Sequence, residues 1–428
     1  MGRLWWIRRS VRQPHDYGRK KRRSFRWPLA LLGVLFCALC DRLPATDDAT
    51  QQRIELLTRR VKERPHDFIA LTMLGQAYSS RARQTGDLSI YKGAEAAFEG
   101  ALAEFPEHIA ALGGVCSVRM ALHRFDEARS IAGHILRNDP PSSEGRLLLG
   151  DAQLALGKTA EAARTWQPLP ESPAVFWRRS QLARLRGDND EALRLALRAA
   201  EEATARGEPP ENCAWYRVRV GEIFFRKGEL AFAEEQYRTA LEQSPQSYDV
   251  AEHFAELRGA QERFDEAIKG YQDLITRLPR PDLEQALGDL FLFLHKPEQA
   301  KSWHDKALAG YLASIDRGEI HFLHHLTGFF ADSREDGAQA VRWARKDLAL
   351  RATPFTHEAL AWALYRAGDF VESQREMEMA LAGGIKDAHI CYHAGLIYSA
   401  AGNIERGQEF LHGALRLNPR ANGFHVHR

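Results

Sequence analysis

The stretch that decides the fold covers residues 387–419 and reads DAHICYHAGLIYSAAGNIERGQEFLHGALRLNP. Gly395 and Gly407 stand where two antiparallel helices cross, because a residue without a side chain lets the two backbones approach closely. Gly402 supplies the turn between the helices, and Pro419 ends the second helix because it has no backbone N–H to donate. The stretch therefore predicts one complete helical hairpin.

The same hairpin recurs along the chain with a period near 34 residues. Pro140 follows Pro106, and Pro279 follows Pro245, at this interval. A two-helix unit of this length cannot bury its apolar face alone and requires stacked neighbours. The placement of small residues, an aromatic residue and a terminal proline in residues 387–419 resembles the tetratricopeptide repeat family. The resemblance covers most of the chain and implies an all-α fold, a right-handed α-solenoid of about ten tetratricopeptide-type helical hairpins.

Segment boundaries follow from this pattern and from composition. A lone second helix precedes the array, and the Pro209-Pro210 pair predicts a flexible break within it. The predicted segments are a basic cytoplasmic segment (1–26), a signal peptide or membrane anchor (27–45), a linker with an N-terminal half repeat (46–65), repeats one to four (66–205), a proline-containing break (206–213), repeats five to ten (214–420) and a C-terminal tail (421–428).

Charge is unevenly distributed along the chain. The protein carries 59 Lys and Arg against 57 Asp and Glu, but residues 1–45 hold 11 basic and only 2 acidic residues. The rest of the chain therefore has 48 basic and 55 acidic residues, a net charge of −7. A mildly acidic body argues against a groove that binds nucleic acid.

The basic N-terminus precedes an uncharged run of fourteen residues from Trp27 to Cys40. Fourteen helical residues rise about 21 Å, less than a hydrocarbon core of about 30 Å, so the run is more typical of a signal peptide than of a membrane span. The positive flank predicts that everything after Asp41 lies outside the cytoplasm, in the periplasm of a bacterium. The sequence allows both cleavage and an uncleaved anchor, and Arg22-Arg23 resembles the start of a twin-arginine export signal.

Motifs of catalysis and cofactor binding are missing from the sequence. It contains no His-Glu-x-x-His motif, phosphate loop, nucleophile elbow or glycine-rich dinucleotide turn. Cys116, Cys213 and Cys391 are isolated in the helical body and are expected to be small core residues. We therefore predict neither an enzyme nor a bound cofactor.

The tetratricopeptide resemblance also implies where a partner binds. In that family the first helix of each hairpin lines a concave groove. The inward positions of the last three hairpins hold aromatic residues and histidines, whereas earlier hairpins offer mostly polar ones, apart from Trp177 and Trp215. The predicted partner-binding residues are Phe322, His325, Phe329, Phe355, Trp362, Tyr365, His389 and Tyr392. Aromatic anchors on a concave surface suit an extended or helical peptide, and packing within the superhelix is the alternative for the same side chains.

Three histidines have a spacing that deserves comparison with metal sites. His321, His324 and His325 stand at i, i+3 and i+4, which places side chains on one helical face. Metal ligands come with supporting carboxylate or cysteine partners, and the local sequence supplies none here. We therefore predict no metal site.

These features favour a non-enzymatic protein-protein interaction scaffold or assembly factor, exported or membrane-anchored, with its repeats outside the cytoplasm. Repeat solenoids present long binding surfaces and rarely supply preorganised catalytic groups. The expected partners are a protein or peptide ligand and, through the N-terminal segment, a membrane; nucleic acid is not expected. The alternative, which rests on fold analogy, is an accessory subunit of an envelope secretion or polysaccharide-export complex.

Overall fold

The computed structural model describes residues 46–420, so the predicted basic segment, signal peptide or anchor, and C-terminal tail lie outside the described residues. Within this range all regular elements are helical, including a 3-10 turn (Leu88–Ile90) and a π-helical turn (Phe329–Ser333). The α-helices are α1 (Thr46–Glu63), α2 (Phe68–Thr85), α3 (Tyr91–Glu104), α4 (Ile109–Ala121), α5 (Phe125–Asn138), α6 (Ser143–Ala155), α7 (Thr159–Trp166), α8 (Pro173–Leu185), α9 (Asn189–Ala205), α10 (Pro210–Arg226), α11 (Leu230–Gln243), α12 (Tyr248–Ala260), α13 (Phe264–Arg277), α14 (Pro281–Phe293), α15 (Pro297–Asp316), α16 (Leu323–Gly328), α17 (Gly337–Leu350), α18 (Pro354–Ala367), α19 (Phe370–Leu381), α20 (Ala388–Ala400) and α21 (Ile404–Leu417). None of these helices is both long enough and apolar enough to span a bilayer.

Consecutive helices pair into ten hairpins, from α2/α3 to α20/α21, and α1 precedes them as the half repeat. Each hairpin turn contains a residue with positive φ, which reverses the chain between the two helices. These turn residues are Gly86, His123, Gly157, Gly187, Gly228, Glu262, His295, Glu335, Gly368 and Gly402. The predicted all-α solenoid of about ten hairpins is confirmed.

Small residues allow the two helices of a hairpin to approach, as the sequence predicts. A Cβ atom added at Gly395 would lie 2.5 Å from Cγ of Leu411, and one added at Gly150 would lie 2.1 Å from Nε1 of Trp166. Trp166 is almost fully buried in this contact. The large side chain of the second helix thus fills the space that the glycine of the first helix leaves open.

Residues 206–213, where the sequence predicts a flexible break, contain a short loop (206–209) and the start of α10. Helix α9 ends at Ala205 and α10 begins at Pro210, so only a short loop separates them. Proline suits the first turn of a helix, because the backbone donors of that turn have no helical partner. Buried side chains on both sides of the loop, including Ala203 and Tyr216, share one core. The paired prolines therefore start a helix inside a continuous array.

Hairpins far apart in sequence contact each other along a line that we call the inter-turn seam. The turns of the second to fifth hairpins meet the loops that follow the seventh to tenth hairpins. The paired residues are His123 with His321, Gly157 with Ala352, Asn189 with Lys386, and Gly228 with Asn418. The side-chain amide of Asn189 donates a hydrogen bond of 2.8 Å to the carbonyl oxygen of Lys386. Successive turns of the superhelix are therefore in contact along this seam.

Candidate functional site

The inner side of the superhelix contains two large cavities. The N-terminal cavity, of about 840 Å³, lies among the first five hairpins and the start of α18. The C-terminal cavity, of about 990 Å³, lies among the fifth to tenth hairpins. Aromatic residues line both: Tyr91, Trp177, Trp215, Tyr216 and Phe355 in the first, and Phe225, Phe264, Phe293, Trp362 and Tyr392 in the second.

The N-terminal cavity presents aromatic rings beside guanidinium groups. Trp215 on α10 is 40% exposed, and its ring meets that of Trp177 edge to face, with 5.4 Å between centroids. The Arg219 guanidinium lies 5.4 Å from the Trp215 ring. Across the inter-turn seam, the Arg184 guanidinium lies 4.9 Å from the ring of Phe355. Such cation–π contacts hold the basic groups close to the apolar surface that a ligand would cover.

The C-terminal cavity combines an apolar wall with a buried acid. Leu292 and Phe293, at the end of α14, are 44% and 38% exposed and form part of the wall. The indole N–H of Trp362 donates to both carboxylate oxygens of Asp332, at 3.0 and 3.1 Å. Burial raises the pKa of Asp332 to about 7, although the Trp362 hydrogen bond opposes this shift. The charge of this wall therefore changes near neutral pH.

A carboxylate and two imidazoles converge between α18 and α20, and we call them the Glu358–His389–His393 cluster. Oε1 of Glu358 lies 2.5 Å from Nδ1 of His393 and 3.7 Å from Nε2 of His389. Glu358 and His393 are buried, whereas His389 is partly exposed and lines the C-terminal cavity. Burial raises the pKa of Glu358 and lowers the pKa of His393 to about 3. The same burial thus disfavours both charged forms, the carboxylate of Glu358 and the imidazolium of His393.

A smaller cavity, of about 80 Å³, lies against this cluster. His324 and His325 on α16 also line it, as do the two imidazoles of α20. Four histidines from two hairpins thus surround one small space. Neighbouring first helices of the solenoid bring them together, because those helices lie side by side on the concave face.

Three of the eight predicted partner-binding residues pack inside the protein. Phe322 and Phe329 are only 7% and 0% exposed and form edge-to-face contacts with Tyr311 of α15. Both rings lie in the core around Tyr311, the packing alternative that the sequence also allowed for these side chains. Tyr365 stacks on Trp362 with 4.9 Å between centroids and packs against a neighbouring core.

The other five predicted residues lie on cavity walls, but in different cavities. Phe355 lines the N-terminal cavity, whereas Trp362, His389 and Tyr392 line the C-terminal cavity. His325 lines the small cavity beside the Glu358–His389–His393 cluster. The eight predicted residues are thus divided among three cavities and the protein core. Whether these walls bind a partner stays a prediction.

Sequence reasoning missed Glu358 and His393 as parts of a site. His389 and His393 have the i, i+4 spacing that places two imidazoles on one helical face, and that spacing was the available signal. The carboxylate comes from the preceding hairpin, so local spacing does not reveal it. His321, by contrast, is buried with its ring 4.2 Å from that of Phe322 and does not line the small cavity.

Comparisons with known proteins agree with the helical hairpins. Tetratricopeptide repeat profiles match residues 91–145, 186–248 and 388–420. No curated protein sequence matches the chain.

Several solved structures are similar to the chain. A human IFIT1 dimer with PPP-AAAA is 16% identical, with a TM-score of 0.37 and with 86% of this chain and 78% of that chain covered. Yeast Tom70 is 15% identical, with a TM-score of 0.35 and with 87% and 89% covered. The APC/C hetero-tetramer Cut9-Hcn1 is 13% identical, with a TM-score of 0.34 and with 91% and 98% covered.

The three profile matches fall on the hairpins that the structure describes. The last match, residues 388–420, begins at the first residue of α20 and ends just after α21. The other two cover helices from the first half of the array. The profile matches thus agree with the helical pairs and with their repeat period. The chain therefore contains tetratricopeptide repeats, which the profiles match over these three stretches.

Proposed function

We propose that the protein is an interaction scaffold that holds an extended segment of a partner protein inside its superhelix. The tetratricopeptide repeat family supports a protein-interaction scaffold. The proposal of an extended occupant rests on the two cavities, of about 840 and 990 Å³, which have exposed aromatic and apolar side chains on their walls.

The shape of the two cavities favours an extended occupant. They follow one another along the array, one among the first five hairpins and one among the last six. A polypeptide segment in extended conformation spans such a succession of compartments and places separate side chains in each. Trp215 in the first cavity and Leu292 in the second are exposed anchors for those side chains.

The charged groups of the walls support binding rather than chemistry. Arg178 pairs with Asp151 through Nε and Oδ1 at 2.7 Å, and Arg184 pairs with Asp387 at 3.4 Å. These ion pairs hold neighbouring helices in position and make the cavity walls partly polar. The proposed scaffold is accordingly non-enzymatic.

Affinity capture with the full-length protein tests the proposal. The unaltered protein is compared with a Trp215→Ala/Leu292→Ala variant and with Phe232→Ala, which removes an aromatic side chain that is 54% exposed but lines neither cavity. We expect a partner protein to be recovered with the unaltered protein and with Phe232→Ala, and at least tenfold less with the double variant. Equal recovery with all three, at equal helicity by circular dichroism, would contradict the proposal. Recovery of a membrane barrel or a polysaccharide synthase would assign the chain to an export complex.

We further propose that the repeats work outside the cytoplasm. This rests on the ten basic residues that precede the uncharged run from Trp27 to Cys40. Alkaline phosphatase fused to the C-terminus should be active only when the run is intact, and inactive when Leu31→Arg and Leu35→Arg interrupt it. Activity that is absent from the unaltered fusion would refute this location.

A further inference from the structure

The Glu358–His389–His393 cluster contains the ligand types of a transition-metal site. One oxygen and two nitrogen atoms, one from each residue, lie within 4.8 Å of one another. The carboxylate comes from α18 and both imidazoles come from α20, so the set joins two hairpins. A pair of histidines with one carboxylate is a common protein ligand set for zinc and other divalent transition metals.

The repeat register brings the donors together. Glu358 follows His325 by 33 residues and His393 follows Glu358 by 35, intervals close to the repeat period, so three successive first helices contribute these side chains at similar heights. Because equivalent positions of neighbouring hairpins lie side by side, the array stacks them towards one point. His389 stands one helical turn before His393 and on the same face of α20.

Surrounding contacts hold the three side chains in place. The ring of His393 stacks on the indole of Trp362, with 3.7 Å between centroids and 3° between planes. Trp362 is itself fixed by its hydrogen bonds to Asp332. Asp387 caps the start of α20, and its side chain accepts a hydrogen bond of 3.0 Å from the backbone N–H of His389. Metal sites need this kind of support around their ligands.

We propose that Glu358, His389 and His393 bind a divalent transition metal ion, with Zn²⁺ as the best match to two imidazoles and one carboxylate. In a tetrahedral zinc site with bonds of about 2.0 Å, ligand atoms stand about 3.3 Å apart. The contact of 2.5 Å between Glu358 and His393 then lengthens, and the 3.7 Å between Glu358 and His389 shortens by a few tenths of an ångström.

The fourth position of the tetrahedron faces the small cavity. Its volume of about 80 Å³ exceeds the space of about 30 Å³ that one water molecule occupies in the liquid. His324 and His325 line the same cavity, so a water molecule or one of these imidazoles completes the coordination. A bound ion would tie α18 to α20 beside the C-terminal cavity. This inference is independent of the proposed scaffold function.

Metal titration of the full-length protein, stripped with a chelator, tests the site. Zn²⁺ is added and its affinity is measured by calorimetry, and Co²⁺ serves as a probe because its visible spectrum reports tetrahedral coordination. We expect one equivalent of Zn²⁺ to bind, with a higher melting temperature in its presence. His389→Ala should weaken Zn²⁺ binding at least about 100-fold, since loss of a ligand exceeds the 10–100-fold cost of losing a supporting contact.

Matched variants separate the site from other histidines. His357→Ala changes the residue next to Glu358, but His357 pairs with Glu376 at 2.7 Å, so Zn²⁺ binding should be retained. His425→Ala with His427→Ala removes the two histidines of the C-terminal tail and should also leave it unchanged. His389 is partly exposed, so its replacement is expected to preserve the fold, which circular dichroism checks.

Three outcomes would overturn the proposal. One is that His389→Ala and Glu358→Gln bind Zn²⁺ as tightly as the unaltered protein. Another is that binding disappears with the tail variant. The third is that the unaltered protein shows neither a stoichiometric Zn²⁺ transition nor the Co²⁺ spectrum of a tetrahedral site.

Discussion

Arg184 and Asp387 form an ion pair of 3.4 Å although 203 residues separate them in sequence. The pair crosses the inter-turn seam, where the fourth hairpin meets the loop before α20. Burial alone would raise the pKa of Asp387, but the guanidiniums of Arg184 and Arg226 outweigh burial and hold this pKa below its ordinary value. The same carboxylate caps the N-terminus of α20. One side chain thus both starts a helix and docks two turns of the superhelix.

Asp387→Ala should therefore cost more stability than the loss of an ordinary cap. We expect the free energy of unfolding to fall by about 2 kcal/mol or more, because a cap of about 1 kcal/mol and a partly buried ion pair are lost together. Asp369→Ala is the matched control, since Asp369 caps α19 and forms no ion pair among the described residues. It should cost about 1 kcal/mol. Urea denaturation of the two variants measures the difference, and equal losses would show that the seam pair contributes nothing.

Gly157→Ala should disrupt the seam at another point. Gly157 has φ of 82°, and an added Cβ would lie 1.7 Å from the carbonyl oxygen of Ala352. Gly207 has φ of 67°, with no atom within 4 Å of an added Cβ. Gly207→Ala then carries only the left-handed backbone cost of about 1–2 kcal/mol, whereas Gly157→Ala should cost at least about 3 kcal/mol. Differential scanning calorimetry on both variants checks this, and similar losses in the two would argue against docked turns.

Phe329→Ala and Tyr392→Ala should separate packing from cavity surface. Phe329 is fully buried beside Tyr311, so its truncation should lower the free energy of unfolding by about 3–5 kcal/mol. Tyr392 lines the C-terminal cavity and is only half-buried, so its truncation should cost less than about 1.5 kcal/mol. Urea midpoints provide the measurement. If the Phe329→Ala protein were as stable as the unaltered one, the result would contradict the burial of the Phe329 ring.

Stability should depend on pH through His253. Nε2 of His253 lies 2.8 Å from Oε1 of Glu222. Burial would lower the pKa of His253, but Glu222 outweighs burial and raises this pKa to about 10. Because the pKa is higher in the folded state than its ordinary value of 6.5, the protonated imidazole stabilises the fold fully below that value, and this contribution is lost as pH rises towards 10.

The stability advantage of the unaltered protein over His253→Gln should accordingly be larger at pH 6 than at pH 9. Glutamine keeps a hydrogen-bonding side chain without the titration. Urea unfolding of both proteins at the two pH values tests the expectation. An advantage that is constant, or that grows with pH, would refute it.

Local patterns in the sequence predicted the hairpins well. Gly395 contacts Leu411, which lies less than one repeat away in sequence. The prolines that end the second helices also act on neighbouring residues. Their physical causes, close helix crossing and loss of a backbone donor, act within one unit and therefore leave a periodic signal. The same signal identified Trp215, Trp362 and Tyr392 as inward-facing, and all three line cavities.

Contacts between distant hairpins were beyond such reasoning. The pair of Arg184 with Asp387 has no spacing that a periodic pattern records. Phe329 is buried at the start of a π-helical turn, an irregularity that the repeat pattern does not predict. Glu358 is a possible ligand only because α18 and α20 lie side by side, and the sequence alone does not show this proximity.

The inter-turn seam also fixes how many repeats this array contains. In a solenoid stabilised only by adjacent units, duplication or loss of one unit leaves the remaining interfaces intact. Here the turns of the second to fifth hairpins each meet the loop five hairpins further on. Deletion of a single hairpin between them would shift every pairing by one place and open both compartments. The contacts along the seam therefore require a fixed number of repeats, whereas an array without such contacts tolerates the gain or loss of one unit.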